Sequence, residues 1–486
     1  MTMLIYLIVI PLIFSIISLL FKDKTSRLIT IISTLITMIL SIYIWYNFLF
    51  QKTIIKENYI VTGLNSINSS LYLYGDAVSL SLVLLTAIIM FFVALSSLTL
   101  IHHSIRTYNF LILVTQTGIT GTFLVRDFLF FFIFWEVVLI PMFFLIDIWG
   151  DERRHYAAMK FLIYTHIGSV IMLLGIFIGY AYAAKSFSFD AYFSNVAMLD
   201  TFLKTLIFFT FFIAFAIKMP IPPFHTWLPD AHVEAPSPVS VILASLLLKM
   251  GGYGMLRIAY PMLTDIANSY FVYISLLAAV STVYISYVAM TQDDLKRMIA
   301  YGSITQMSLA MLAIASSFNQ LNTPIANLLY TAAIFIMISH GFIIGALFIL
   351  SGVIKERAGT RMISKLGGLN SHMPKFSFSL ILATLGDIGL PGTSGFIAEL
   401  LIIVGLIRLI TSSMLYMTLT ILILLALVIT TCYFLQMLKR VSFGKKKEEL
   451  VINSDATYLE IAAPIGMMLI SIILGIAPIV ILLGFT

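Results

Sequence analysis

The sequence predicts an all-α polytopic membrane protein of about fourteen transmembrane helices. Three observations carry that expectation. The 486 residues are 60% hydrophobic and only 10% charged, against about 25% charged in a soluble domain. Apolar runs long enough to cross a bilayer recur along the chain. Two of them, the seventh and the twelfth, contain their own helix breakers.

Runs of about 18 or more apolar residues fall near 3–21, 27–47, 77–101, 109–125, 128–149, 158–184, 205–220, 236–260, 268–290, 298–317, 325–353, 376–410, 412–438 and 459–483. We number them spans 1 to 14. No basic segment precedes the first, and no small-residue cleavage site follows it. It therefore reads as a retained span rather than a signal peptide.

Loop charge orients the spans. Of the 28 Lys and Arg residues, nineteen fall in the loops after spans 1, 3, 5, 9, 11 and 13, and seven on the opposite face. The remaining two, Lys218 and Lys249, lie within spans. By the positive-inside rule the odd-numbered loops face the cytoplasm and both termini face outward. This asymmetry accounts for the net charge of +6 without invoking nucleic acid.

Span 7 runs into Pro220, Pro222 and Pro223, within FAIKMPIPPFHTWLPDAH (215–232), and span 12 carries GLPGTSGFIAEL (389–400). Proline removes a backbone donor and clashes with the preceding turn. Membrane helices tolerate such breaks only where protein or water satisfies the freed groups. Breaks five spans apart point to an inverted repeat, spans 4–8 against 9–13, because an odd number of spans inverts the second copy. The expected divisions are 1–105 (helices 1–3), 106–262 (first repeat), 263–440 (second repeat) and 441–486 (a loop and helix 14).

The single cysteine, Cys432, excludes an internal disulfide, a thiolate zinc site and an iron–sulfur cluster built by this chain alone. There is no GxGxxG or Walker lysine motif. Redox chemistry, if the protein serves it, belongs to another chain.

The chemistry-bearing residues lie inside spans. Glu136 sits near the middle of span 5. An ionised carboxylate there is costly unless paired or hydrated, and intramembrane ionisable groups mark ion or proton paths; the alternative is a carboxylate that only joins helices. Lys218 ends the first half of span 7, where the partial negative charge of a helix C-terminus favours a cation. Lys249 lies well inside span 8, with Gly251, Gly252 and Gly254 following. Small residues there allow close helix approach or leave room for water. Snorkelling is the alternative for both lysines.

His225, His340, Glu399 and Asp387 form a second group. His225 follows the span 7 break, and His340 lies near the middle of span 11. Each is either a relay or a hydrogen-bonded packing residue. Glu399 lies just beyond the span 12 break, where water can reach. Asp387, a turn before Pro391, either joins that group or caps the broken helix.

Other groups read as structural. QDDLKR (292–297) resembles a loop entering a helix. Asp230, His232 and Glu234 are expected to make loop hydrogen bonds rather than bind metal. The aromatic run FLFFFIFW packs or faces lipid. Lys445 to Lys447 are expected to meet anionic headgroups or a partner subunit. The inventory is that of a proton path with its energy supplied elsewhere.

Five stretches carry a resemblance: YGDAVSLSLVLLT (74–86), FWEVVLIPMFFLIDIWG (134–150), RRHYAAMKFLIYT (153–165), AFAIKMPIPPFHTWLPDAHVEAPSPVSVILASLLLKMGGYGMLR (214–257) and LPGTSGFIAELLII (390–403). Over roughly 75–440 the chain resembles the antiporter-like subunits of respiratory complex I. It is most similar to the M type, chain 4 in mitochondria. Ala77 stands where glycine is common. The resemblance implies fourteen helices with two inverted five-helix units. It implies that Glu136 pairs with Lys218, that Lys249 is the central relay, that His340 continues the axis and that Glu399 lies on the outward half-channel. Glutamate rather than lysine at Glu399 favours the M type over the L and N types.

It further implies neighbouring membrane-arm subunits as partners. NADH, quinone, FMN and iron–sulfur chemistry would reside in partner chains, with no cofactor or metal in this one. The implied location is a prokaryotic plasma membrane, ahead of a mitochondrial inner membrane. The alternatives are a subunit of a multisubunit Na⁺/H⁺ antiporter, a ferredoxin- or hydrogenase-linked pump, or a membrane scaffold.

Overall fold

A computed structural model describes residues 3–445, 447, 452 and 454–485; Lys446 of the basic tail lies outside them. Among the described residues, twelve helices are long and apolar enough to cross a membrane. They correspond to spans 2, 3 and 5 to 14. Span 1 is the 17-residue helix Leu4–Leu20. Span 4 is the helix Ile105–Leu124, in which Thr115, Gln116, Thr117, Thr120 and Thr122 are buried.

Enclosure sorts the spans. The apolar middle stretches of span 8 (Ser237–Met262) and span 11 (Pro324–Ala358) are wholly enclosed by the rest of the chain, and that of span 10 (Leu295–Asn319) nearly so. Spans 2, 6, 13 and 14 show much of their surface outward. Large apolar residues such as Ile39, Val170, Val428 and Ile473 are exposed there, as a lipid-facing surface requires. Span 11, with 35 residues, is about 52 Å long at 1.5 Å per residue. It therefore projects beyond a hydrocarbon core of about 30 Å.

Span ends follow ordinary capping rules. Asp127, Asp200 and Asp294 each accept hydrogen bonds from two backbone N–H groups at the starts of spans 5, 7 and 10. This satisfies donors that have no partner within the helix. Asp294 shows why QDDLKR precedes a helix.

A short antiparallel hairpin, Ile55–Tyr59 against Leu71–Gly75, was not anticipated. Its Glu57 accepts the N–H groups of Leu4 at 2.8 Å and Ile5 at 3.1 Å, so the hairpin caps span 1.

Both breaks are present. Span 7 comprises Thr201–Lys218 and Trp227–Glu234. Span 12 comprises Pro374–Asp387 and Ser394–Ile407. At the first break, the Trp227 indole donates to the Ile217 carbonyl at 3.0 Å, replacing a helical partner that the prolines remove. At the second, Gly389 (φ +80°) and Gly392 (φ +98°) take left-handed backbone, which glycine adopts at no steric cost.

Candidate functional site

The polar residues begin at span 5 and converge on the two enclosed helices. Lys218 is the last residue of its half-helix and is buried. Its Nζ faces the Trp135 ring at 5.2 Å and the Phe161 ring at 5.9 Å. Aromatic faces stabilise a cation by about 0.5–2 kcal/mol. Glu136 is the carboxylate whose charge acts on it.

The two do not form the closed ion pair expected of them. Glu136 Oε2 lies 3.4 Å from His166 Nδ1, and its Oε1 is buried without a hydrogen-bond partner. The aromatic rings occupy the space beside the ammonium, so Glu136 acts on Lys218 across a gap.

Span 8 reaches this break through its glycines. A Cβ on Gly251 would lie 2.7 Å from both the Phe215 carbonyl oxygen and the Met219 nitrogen. Only a residue with no side chain lets the helix seat against the last turn before Lys218.

Lys249 occupies the short α segment Leu248–Gly254, between π turns at Leu243–Leu247 and Met255–Ala259. π turns are rare and cluster at functional sites. Nothing in the residue pattern announced them. The Lys249 ammonium donates to the Ala244 carbonyl at 2.6 Å, and its Nζ is 2.6 Å from His340 Nδ1. Lys249 and His340 are both buried, and no salt-bridging carboxylate reaches Lys249 among the described residues.

Beyond His340 lies a cavity of about 10 Å³ lined by His340, Gln306, Ser339, Asp387 and Glu399. That is about the room one water needs. Gln306 donates to Glu399 Oε1 at 3.1 Å. Ser339, Ser394 and Ser471 form a hydroxyl chain with links of 2.8 Å. Glu399 Oε2 also abuts Gly389, where a Cβ would lie 2.7 Å from it.

Asp387 accepts no hydrogen bond among the described residues, and Thr393 stands at the N-cap of the second half-helix. Asp387 ends the first half-helix, where the dipole disfavours an anion. Capping therefore does not explain it, and membership of the cavity does.

His225 lies past the span 7 break with its Nδ1 buried and unpartnered. Asp230, His232 and Glu234 are not in a loop. They lie on the helix Trp227–Glu234, because Pro229 falls in its first turn, where the missing N–H costs nothing. Lys160 donates to Asp230 at 2.7 Å, and Glu234 accepts the Arg153 N–H at 2.9 Å. His232 does not make the loop hydrogen bonds expected of it. It is fully buried, stacks on Phe348 at 4.6 Å, and neither ring nitrogen has a partner.

The family model for NADH:quinone oxidoreductase and Mrp antiporter transmembrane subunits matches residues 125–430. The chain is 36% identical to NADH-quinone oxidoreductase subunit M of Rickettsia bellii, over 94% of this chain and 90% of that protein. It is 34% identical to F(420)H(2) dehydrogenase subunit M of Methanosarcina mazei, over 97% and 94%. A chain of respiratory complex I from Thermus thermophilus superposes with a TM-score of 0.87 at 24% identity, covering 99% of this chain and 98% of that one. By the family match and by identity along nearly its whole length, the chain belongs to the NADH:quinone oxidoreductase/Mrp antiporter family of membrane subunits.

Proposed function

We propose that the chain is the M-type proton-translocating membrane-arm subunit of a complex I-type NADH:quinone oxidoreductase. In this reading FMN, iron–sulfur clusters and quinone act in partner subunits. Neighbouring antiporter-like subunits flank this chain in a prokaryotic plasma membrane, with its odd-numbered loops in the cytoplasm. The observation that carries the proposal is the 2.6 Å Lys249–His340 contact between the enclosed middles of spans 8 and 11, with the Glu399 cavity directly beyond it. The relatives named subunit M support it.

In the proposed cycle, quinone reduction elsewhere alters the field along the membrane arm. Glu136 closes on Lys218 or withdraws from it, changing the lysine's hold on its proton. The proton passes to Lys249, then to His340, and leaves by the Glu399 and Asp387 cavity. His225 lies at the hydrated break beside Lys218. Spans 4–8 and 9–13 act as two inverted half-channels, and the paired breaks in spans 7 and 12 support that division.

The Methanosarcina relative favours one second reading, in which the same subunit serves a complex with a different electron donor. The test is the assembled complex in proteoliposomes, with proton uptake measured per electron for each donor. Glu136→Ala, Lys218→Ala and Lys249→Ala should lower that ratio in protein that assembles normally. An unchanged ratio in all three would sink the proposal.

A further inference from the structure

The helix after the span 7 break, Trp227–Glu234, is held by span 6 (Arg154–Gly179). Three span 6 residues within little more than one turn make the contacts. The Tyr164 hydroxyl lies 2.7 Å from that of Thr226, the N-cap of the helix. The Phe161 ring meets the Trp227 ring at 5.5 Å. The Lys160 ammonium donates to Asp230 at 2.7 Å. The Lys160 and Asp230 side chains are 20% and 22% exposed, so salt screens them less than it would a surface pair. Arg297 of span 10 is a looser neighbour of the same carboxylate, at 3.5 Å.

The same two elements build the surroundings of Lys218. Phe161, next in the chain to Lys160, presents its ring 5.9 Å from the Lys218 ammonium. Trp135, the other ring facing that ammonium, donates its indole N–H to Ser169 of span 6 at 3.1 Å. Span 6 thus carries one ring and anchors the other. From the opposite side, the Trp227 indole holds the carbonyl of Ile217, the residue before Lys218. Contacts therefore run unbroken from Asp230 to Lys160 and from Phe161 to Lys218. Burying a charged pair is costly, and two apolar side chains would join these elements without that cost. What the pair adds is register, because one ammonium meets one carboxylate in one seating of the helices.

We infer that Asp230, acting through Lys160, is a positioning residue for proton transfer at Lys218. The pair fixes the seating of span 6 that holds the Trp135 and Phe161 rings against the ammonium, and it takes up no transferred proton itself. The inference rests on the proposed proton-translocating role of Lys218. Without the pair, span 6 has no single seating on the helix Trp227–Glu234, and the rings no longer hold the ammonium in one place.

Four variants of the complete complex test this in proteoliposomes, beside Lys218→Ala, with proton uptake per electron normalised to assembled protein. Asp230→Asn keeps the shape and removes the charge. Lys160→Met breaks the pair from the other side and keeps the apolar stem. Asp230→Glu keeps the charge on a longer stem. Arg297→Gln removes only the looser neighbour. The expected result is that Asp230→Asn and Lys160→Met assemble and fall towards the Lys218→Ala ratio, that Asp230→Glu recovers most of the loss, and that Arg297→Gln stays near wild type. A normal ratio in Asp230→Asn or Lys160→Met, with Lys218→Ala impaired, overturns the inference and leaves the parent proposal standing. A normal ratio in Lys218→Ala overturns the parent proposal. An Asp230→Glu complex as impaired as Asp230→Asn overturns the inference, because the charge would not be what matters. So does an equally low Arg297→Gln, which would tie Asp230 to span 10 instead. If Asp230→Asn and Lys160→Met both fail to assemble, the pair serves folding alone and the inference falls. If only one fails, the ratio in the other decides.

Discussion

Lys249 and His340 meet nitrogen to nitrogen at 2.6 Å, although they are 91 residues apart in the chain. A contact that short holds one proton between two bases. Lys249→Arg should therefore be inactive despite its charge, since arginine does not release its proton. His340→Ala should slow transfer through this chain by about 10²-fold or more, the usual contribution of a positioned acid–base group. Both are read from vesicle-lumen pH with a trapped dye.

Glu136 acts on Lys218 across a gap rather than through a closed pair. Glu136→Gln removes that charge with almost no change in shape. It should reduce pumping at least about tenfold, corresponding to about 1.4 kcal/mol of lost charge interaction. His166→Ala, which removes the neighbour now at 3.4 Å, should leave pumping close to wild type. Equal losses in the two variants would make His166 part of the path.

Gly251 seats span 8 against the Phe215–Met219 turn. Gly251→Val should cost about 1–3 kcal/mol through overpacking and reduce the yield of assembled, thermally stable complex. Gly63 provides the contrast. Its φ is +99° but no atom would meet its Cβ within 4 Å, so Gly63→Ala should carry only a backbone strain of order 1 kcal/mol. Melting temperatures in detergent compare the two.

Asp151 gives a pH signature outside the spans. Burial alone would raise its pKa, but the Lys355 hydrogen bond and the charges of Lys296, Lys355 and Arg361 outweigh it and hold the carboxyl below its ordinary value. A depressed folded-state pKa means stabilisation that is full above the unfolded value of about 3.9. It is lost as pH falls through the still lower folded value. Asp151→Asn should therefore melt earlier than wild type at pH 7, and the difference should shrink below about pH 4.

The breaks and the polar residues beside them were legible because their causes are local. Three prolines end the Thr201–Lys218 helix wherever it packs, and Gly389 and Gly392 turn the chain by themselves. The Glu136–Lys218 gap was not legible. The two lie 82 residues apart in the sequence, and the rings that hold them apart come from a third helix as well. His232 was misread because Pro229 and Pro236 suggested a loop, although proline suits a first turn. The π turns on either side of Lys249 were not legible either. No residue type marks them.

The middle of span 8 is wholly enclosed and carries a lysine, and this bears on how the protein is made. A lysine at the centre of a helix costs about 2.5–3.5 kcal/mol when the helix is released into lipid alone. Ser237–Met262 therefore gains little from lipid and depends on the surfaces of its neighbours. During biogenesis it has to be held until spans 10 and 11, synthesised later, arrive to enclose it. The segment that carries Lys249 is poorly suited to insert by itself, so damage to spans 10 or 11 should surface first as loss of span 8 from the membrane.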